Sequence, residues 1–358
     1  MVESSRNKIL LGDAREKLAT LPDESVHMVC TSPPYFGQRD YGVDGQMGME
    51  PTLDEYVANM VAVFREVKRV LRSDGACFVN LGDSYTSGGR ATRDPGQSGL
   101  HPAQPKGTTR AETPAGLKPK DLIGVPWRLA LALQADGWYL RSAFPWVKRG
   151  VMPESVTDRA TSALEYIFQF TKSQKYFADM DAVRKPAQDW GLRDRSNFRN
   201  GTTDPLLKHH GFKDGNSAVS GRNLRNADLW FESIGEPHGL VGVGDEIVGL
   251  DRNTARSSGE HYASYPEALV LPFIKMGTSE HGVCAECGSP YIRLTGWQPT
   301  CKHDAPVVPG IVLDPFIGSG TTALVALKAG RDFVGIELNP EYVAMAQRRL
   351  DAVGTRLL

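Results

Sequence analysis

Short apolar runs punctuated by glycine, proline and acidic residues recur from Lys8 to Phe170 and again from Ile311 to Glu337. Lys8-Ile9-Leu10-Leu11 reads as a short strand ending at Gly12-Asp13-Ala14, and Ala14–Thr20 as a brief helix. Ser25–Cys30 is a second strand that runs into Thr31-Ser32-Pro33-Pro34-Tyr35. Two prolines with fixed φ and no N–H stop that strand and make the chain extended and rigid. Tyr56, Val57, Met60, Val63, Phe64, Val67, Val70 and Leu71 recur at helical spacing, which predicts an amphipathic helix over Leu53–Arg72. Gly75 breaks it, and Ala76–Leu81 follows as a strand. The pattern further predicts a helix over Asp121–Ala135 and strands over Trp138–Phe144 and Tyr166–Phe170. Ile311-Val312-Leu313 and Phe333–Ile336 are short, apolar and rich in β-branched residues, as buried parallel strands are. Strands alternating with helices predict an α/β fold around an open parallel sheet.

The last of these units carries candidate chemistry. After Asp314-Pro315, Gly318-Ser319-Gly320 makes a tight turn, and Thr321-Thr322 opens an Ala/Leu-rich helix through Ala329. Glycines let the backbone approach a ligand closely, and a helix N-terminus offers free N–H donors. The following strand ends on Glu337. Strand, glycine turn, helix, strand and a carboxylate about 20 residues on is nucleoside-binding grammar, with the acid placed for ribose hydroxyls. No lysine follows Gly320, so a phosphate-cradling P-loop does not fit. Ligands of open parallel sheets bind beyond the carboxyl ends of the strands, which is also where Thr31–Tyr35 would sit.

The chain has 358 residues and a formal net charge of −1, enough for one large α/β domain with insertions. It shows no apolar run long enough to span a bilayer and no signal-peptide core at MVESSRNKIL. Five cysteines (Cys30, Cys77, Cys284, Cys287, Cys301) without an export signal point to a reducing cytoplasm rather than a disulfide framework. Tyr85–Lys120 is rich in Gly, Pro, Ser and Thr and carries six basic residues against two acids. Arg184–Arg225 is polar, poorly periodic, and carries nine basic residues against four acids. Positive charge is thus concentrated in the two least globular stretches, as either a solvated surface or a phosphate-binding one. Cys284-x-x-Cys287, Cys301 and His303 offer a Cys₃His set suited to structural zinc, with His281 competing as fourth ligand and free cysteines as the alternative.

Two stretches carry a family resemblance. D-P-F-x-G-S-G-T-T at Asp314–Thr322 resembles motif I, and T-S-P-P-Y at Thr31–Tyr35 resembles motif IV, of the S-adenosylmethionine-dependent amino-methyltransferases that act on DNA. Pro145-Trp146-Val147-Lys148 with Pro153–Arg159 resembles their motif VIII region, and His261–Val270 their motif X. Many relatives have His-Glu where this chain has Leu164-Glu165, so no role is carried over for that histidine. The catalytic motif precedes the cofactor motif, as in the β class, so the resemblance implies a circularly permuted, doubly wound, mostly parallel methyltransferase fold. It implies a catalytic half at 1–183 with a mobile loop at 85–120, a target-recognition region at 184–255, and a cofactor half at 256–358 with the knuckle at 281–303.

By the same resemblance, Asp13 contacts the adenine edge of S-adenosylmethionine and Glu337 its ribose. Asp314, Phe316, Gly318, Gly320 and Thr321 supply its methionine and loop contacts. Ser32 and the Pro33 carbonyl accept hydrogen bonds from an exocyclic amine, freeing its lone pair, while Pro34 keeps the segment rigid and Tyr35 stacks on a base flipped out of the duplex. Serine before P-P-Y resembles the cytosine-N4 enzymes; adenine N6 is the alternative, and an inactive DNA-binding relative a further one. Double-stranded DNA, a cognate restriction endonuclease, a monomeric or homodimeric state and a bacterial cytoplasm complete the expectation.

Overall fold

The computed structural model describes residues 6–38, 42–86, 113–148, 154, 156–183, 185–186, 221–222 and 265–354. Most of the basic loop at 85–120, nearly all of the expected target-recognition region at 184–255, and His261 lie outside the described residues.

The described chain begins with β1 (Lys8–Leu11), α1 (Ala14–Ala19) and β2 (Val26–Thr31). There follow α2 (Leu53–Val70), β3 (Leu71–Gly82), α3 (Val125–Ala135), β4 (Tyr139–Val147) and β5 (Leu164–Thr171). Two short strands, β6 (Lys185–Pro186) and β7 (Gly221–Arg222), pair antiparallel. Beyond α4 (Glu267–Gly277) come the knuckle strands β8 (Val283–Cys284), β9 (Tyr291–Arg293), β10 (Trp297–Pro299) and β11 (Val307–Val308). The chain closes with β12 (Ile311–Asp314), α5 (Thr321–Lys328), β13 (Asp332–Glu337) and α6 (Pro340–Gly354).

Seven strands form one sheet in the order β1-β13-β12-β2-β3-β5-β4. Every pairing from β1 to β3 is parallel, and β5 runs antiparallel to both β3 and β4. Alternate residues feed two cores because successive side chains leave a strand on opposite faces. Val29, Cys77, Val79, Leu313 and Val334 pack with α1, α2 and α3. Met28, Phe78, Val312 and Phe333 pack with α4, α5 and α6. Burial on both faces is why these strands read as unbroken apolar runs. Among the described residues no helix is long and apolar enough to cross a membrane.

Several boundaries shift for physical reasons. The helix expected to reach Arg72 stops at Val70, because Leu71 is already extended and opens β3 five residues before the predicted strand. The helix expected from Asp121 begins at Val125, behind Gly124 in the left-handed region and Pro126 in the first turn. The strand expected to end at Phe144 continues through Pro145 to Val147. β4 is the edge strand, where a missing N–H costs no ladder bond.

The order places a switch point. From β12 the chain crosses through α5 to β13 on one side, and from β2 it crosses through α2 to β3 on the other. A crevice therefore opens beyond the carboxyl ends of β12 and β2, where Asp314 and Thr31 stand. Their amino ends are tied to the knuckle instead: His27 Nδ1 accepts from the Ile311 N–H at 3.0 Å, and His27 Nε2 lies 3.1 Å from the Gly288 carbonyl. Arg72 donates to the Cys287 carbonyl at 2.7 Å.

Burial, reinforced by Arg72, pushes the His27 imidazole down to about 4, so it is neutral in the fold. The unfolded chain binds this proton below about 6.5, so the contribution to stability is complete above that pH and is lost as pH falls towards 4. Between pH 7 and pH 5 the wild type should lose about 2 kcal/mol more than His27→Gln does. Urea unfolding of both proteins at the two pH values measures this, and parallel losses would refute it.

Candidate active site

Asp314 ends β12 almost fully buried, at 2% exposure. Its Oδ1 accepts from Thr31 Oγ1 at 2.6 Å and the Phe316 N–H at 3.1 Å. Its Oδ2 accepts from Thr322 Oγ1 at 2.6 Å and Tyr265 Oη at 3.2 Å. Burial pushes the carboxyl up in spite of these four donors. One side chain thereby ties the residue before Ser32 to the glycine loop and to the segment entering α4.

The loop turns sharply because Gly320 sits at φ 85°, and a Cβ there would come within 2.9 Å of the Ala346 Cβ on α6. Glu337 receives the Gly318 N–H on Oε2 at 2.9 Å and the Asn339 N–H on Oε1 at 2.8 Å. Each carboxylate oxygen has a second lone pair, so this geometry leaves acceptor capacity for a diol. Burial pushes the Glu337 carboxyl up, against the pull of those N–H groups. Asp13 caps α1, with Oδ1 accepting from the N–H groups of Arg15 at 2.9 Å and Glu16 at 3.2 Å.

On the other side of the crevice, Ser32–Tyr35 leaves β2. Tyr56 Oη donates to the Pro34 carbonyl at 2.9 Å, fixing the proline segment to α2. Ser32 Oγ donates to Tyr35 Oη at 3.3 Å, and Tyr35 Oη donates to Glu165 Oε2 at 2.8 Å. Asn80 Nδ2 donates to Tyr35 Oη at 2.8 Å, Glu165 Oε2 at 2.9 Å and Ser32 Oγ at 3.4 Å. Lys148 pairs with the other Glu165 oxygen. Gly82 is required beside this cluster, since a Cβ there would lie 2.7 Å from the Tyr35 ring. Burial, then the Glu165 charge, push the Tyr35 phenol well up, so it stays a neutral donor.

One cleft joins the two sides. It encloses about 770 Å³ of empty space, its open mouth included. Gly12, Asp13 and Ala14 line it beside Glu337, whose carbonyl accepts from the Gly12 N–H at 2.9 Å, followed by Phe316 and Gly318 after β12 and then Ser32 and Pro34 after β2. Asp314, Gly320, Thr321, Pro33 and Tyr35 stand outside the lining of this cleft. The strand-end loop Val43–Met47 and the segment Leu338–Tyr342 also contribute, and no pattern in the sequence singled them out. Asn80 did have a signal. It is a polar residue inside the apolar run Ala76–Leu81, and a buried strand amide needs partners.

The knuckle brings together Cys284, Cys287, Cys301 and His303, with one ligand atom from each lying within 4.8 Å of all the others. Tetrahedral zinc would draw such atoms to roughly 3.6–3.8 Å apart, an adjustment of about one ångström. His281 is engaged elsewhere, stacked on Trp297 at 5.5 Å and tilted against Tyr291 at 4.9 Å. The competition for the fourth position therefore falls to His303.

Known proteins resemble this chain along most of its length. A family model described as DNA methylase matches residues 26–348. The type II methyltransferase M.XycI of Xanthomonas campestris pv. cyanopsidis is 39% identical over 347 residues, 97% of this chain and 88% of that protein. The type II methyltransferase M.Cfr9I of Citrobacter freundii is 38% identical over 348 residues, again 97% of this chain and 88% of that one. A solved structure of the PvuII DNA methyltransferase (cytosine-N4-specific) superposes with a TM-score of 0.54 at 20% identity, covering 96% of this chain and 86% of the other.

Proposed function

This chain belongs to the DNA methylase family, and from that premise we propose that it transfers a methyl group from S-adenosylmethionine to N4 of a cytosine flipped out of duplex DNA. The observation that carries the reading is the shared cleft: Ser32 on one wall and Gly318 with Glu337 on the other, from opposite ends of the chain. S-adenosylmethionine supplies an electrophilic methyl group on its sulfonium.

The donor set fits such a ligand. Glu337 binds the ribose hydroxyls, Asp13 the adenine edge, and Phe316 with the Gly318 backbone the remainder, while Asp314, Gly320 and Thr321 hold the loop from behind. Ser32 and the Pro33 carbonyl accept the two N–H bonds of the target amine and bend its nitrogen towards tetrahedral geometry, a gain of positioning and electrostatics. Pro34 is anchored through Tyr56. Tyr35, held by its hydroxyl and by the close approach of Gly82, is a fixed wall for the base. Serine before P-P-Y is the ground for cytosine.

Nucleosides from DNA of cells expressing the protein, beside a Ser32→Ala control, should contain N4-methylcytosine with the wild type alone. N6-methyladenine would replace the target base, and no modified base would defeat the reading. The type II names of the relatives support a companion restriction endonuclease here too. Expression should then protect DNA from cleavage by an extract of the source cells.

Cys284, Cys287, Cys301 and His303 hold a structural zinc in this reading. The knuckle grips the amino ends of β2 and β12, away from the cleft at their carboxyl ends, so its metal has no part in the chemistry. Elemental analysis should find one zinc per chain, with Cys301→Ser losing it and melting at lower temperature. A purified protein with near-zero zinc would retire the assignment.

A further inference from the structure

We propose that Glu165 is the terminal proton acceptor of the reaction, reached from Ser32 through the Tyr35 hydroxyl. The inference rests on the methyl-transfer reading above and supplies what Ser32 lacks. A serine hydroxyl is too weak a base to keep a proton, whereas the methylated amine must lose one.

The hydrogen bonds run in one direction, from Ser32 Oγ to Tyr35 Oη at 3.3 Å and from Tyr35 Oη to Glu165 Oε2 at 2.8 Å. The proton leaves the nitrogen for Ser32 Oγ, the Ser32 proton passes to Tyr35 Oη, and the Tyr35 proton passes to Glu165 Oε2. Two O–H bonds are remade, one carboxylate becomes a carboxylic acid, and the amine nitrogen recovers its lone pair. Tyr35 is suited to relay rather than to keep charge, because burial and Glu165 oppose its ionisation.

Each element packed on Glu165 has a part. Lys148, at the end of β4, pairs with Oε1 and is about one-third exposed, so the carboxylate has a cationic partner at the edge of solvent. Asn80, from β3, donates to Ser32, Tyr35 and Glu165 together and gathers the three oxygens around one nitrogen. Glu165 itself has only 9% of its side chain exposed. A buried carboxylate with an ion-pair partner, two further donors and a path to the reacting atom has more than a packing role.

The test is single-turnover methyl transfer to unmethylated genomic DNA with tritium-labelled cofactor, across pH, for the wild type, Glu165→Gln, Tyr35→Phe and the double variant. Glu165→Gln keeps shape and hydrogen bonding yet cannot take a proton. Each single variant should slow transfer by about 100-fold, with cofactor dissociation constants unchanged and the acid limb of the rate profile abolished by Glu165→Gln. The double variant should be no slower than either single one, because one relay is cut twice. Multiplied losses in the double variant, or a retained acid limb in Glu165→Gln, would overturn the relay and leave the methyl-transfer reading standing. A wild type that labels no DNA would overturn both.

Discussion

Ser32→Ala should lower the single-turnover rate of methyl transfer by about 10²–10³-fold, the effect of removing one group aimed at a transition state. Cofactor affinity should stay nearly constant, because Ser32 stands on the wall opposite Gly318 and Glu337. The hydroxyl removed is within hydrogen-bond reach of Tyr35 and Asn80. In the proposed reading its loss deletes the acceptor for the target amine and the entrance to the polar cluster at once. Equilibrium binding of the cofactor beside the rate measurement separates these effects. Equal losses in rate and affinity would show that Ser32 shapes the cleft instead.

Asp314→Ala should be the most destabilising single change at the site, by about 4 kcal/mol. Four donors converge on this carboxylate, and its removal strands Thr31 and the Phe316 N–H in the interior, while Thr322 falls back on the Cys30 carbonyl and Tyr265 on Thr322. Each unsatisfied buried group costs about 1–3 kcal/mol, moderated by local relaxation. Asp314→Asn, which keeps one acceptor oxygen, should lose less. Denaturant unfolding measures both. Unchanged stability with a selective loss of cofactor affinity would instead make Asp314 a direct cofactor contact, the role its motif implies.

That contrast shows how far a motif reads. The resemblance groups Asp314 with Phe316, Gly318 and Glu337, yet three of these line the cleft and Asp314 faces inward to four protein donors. A motif marks residues that act on one site without saying which side of the wall each occupies. For the knuckle, spacing left His281 and His303 as rivals, and only packing against Trp297 and Tyr291 removed His281 from contention.

Local physics made the elements legible from sequence alone. Apolar runs, helical periodicity, and glycine and proline punctuation identified the seven strands of the large sheet and the helices α1, α2, α3 and α5 to within about five residues at their ends, and left α6 unread. The glycine turn, Glu337 and the Ser32–Tyr35 segment stood out because each needs unusual residues at close spacing. Tertiary structure decided the meetings. Thr31 and Asp314 are 283 residues apart, and Tyr35 and Glu165 are 130 apart. Contacts of that separation come from strand order and from burial on both faces of the sheet, which no local period encodes. Asn80, Lys148 and Glu165 sit on three different strands or strand ends, and pairing β3 with β5 and β5 with β4 is what brings them to Ser32.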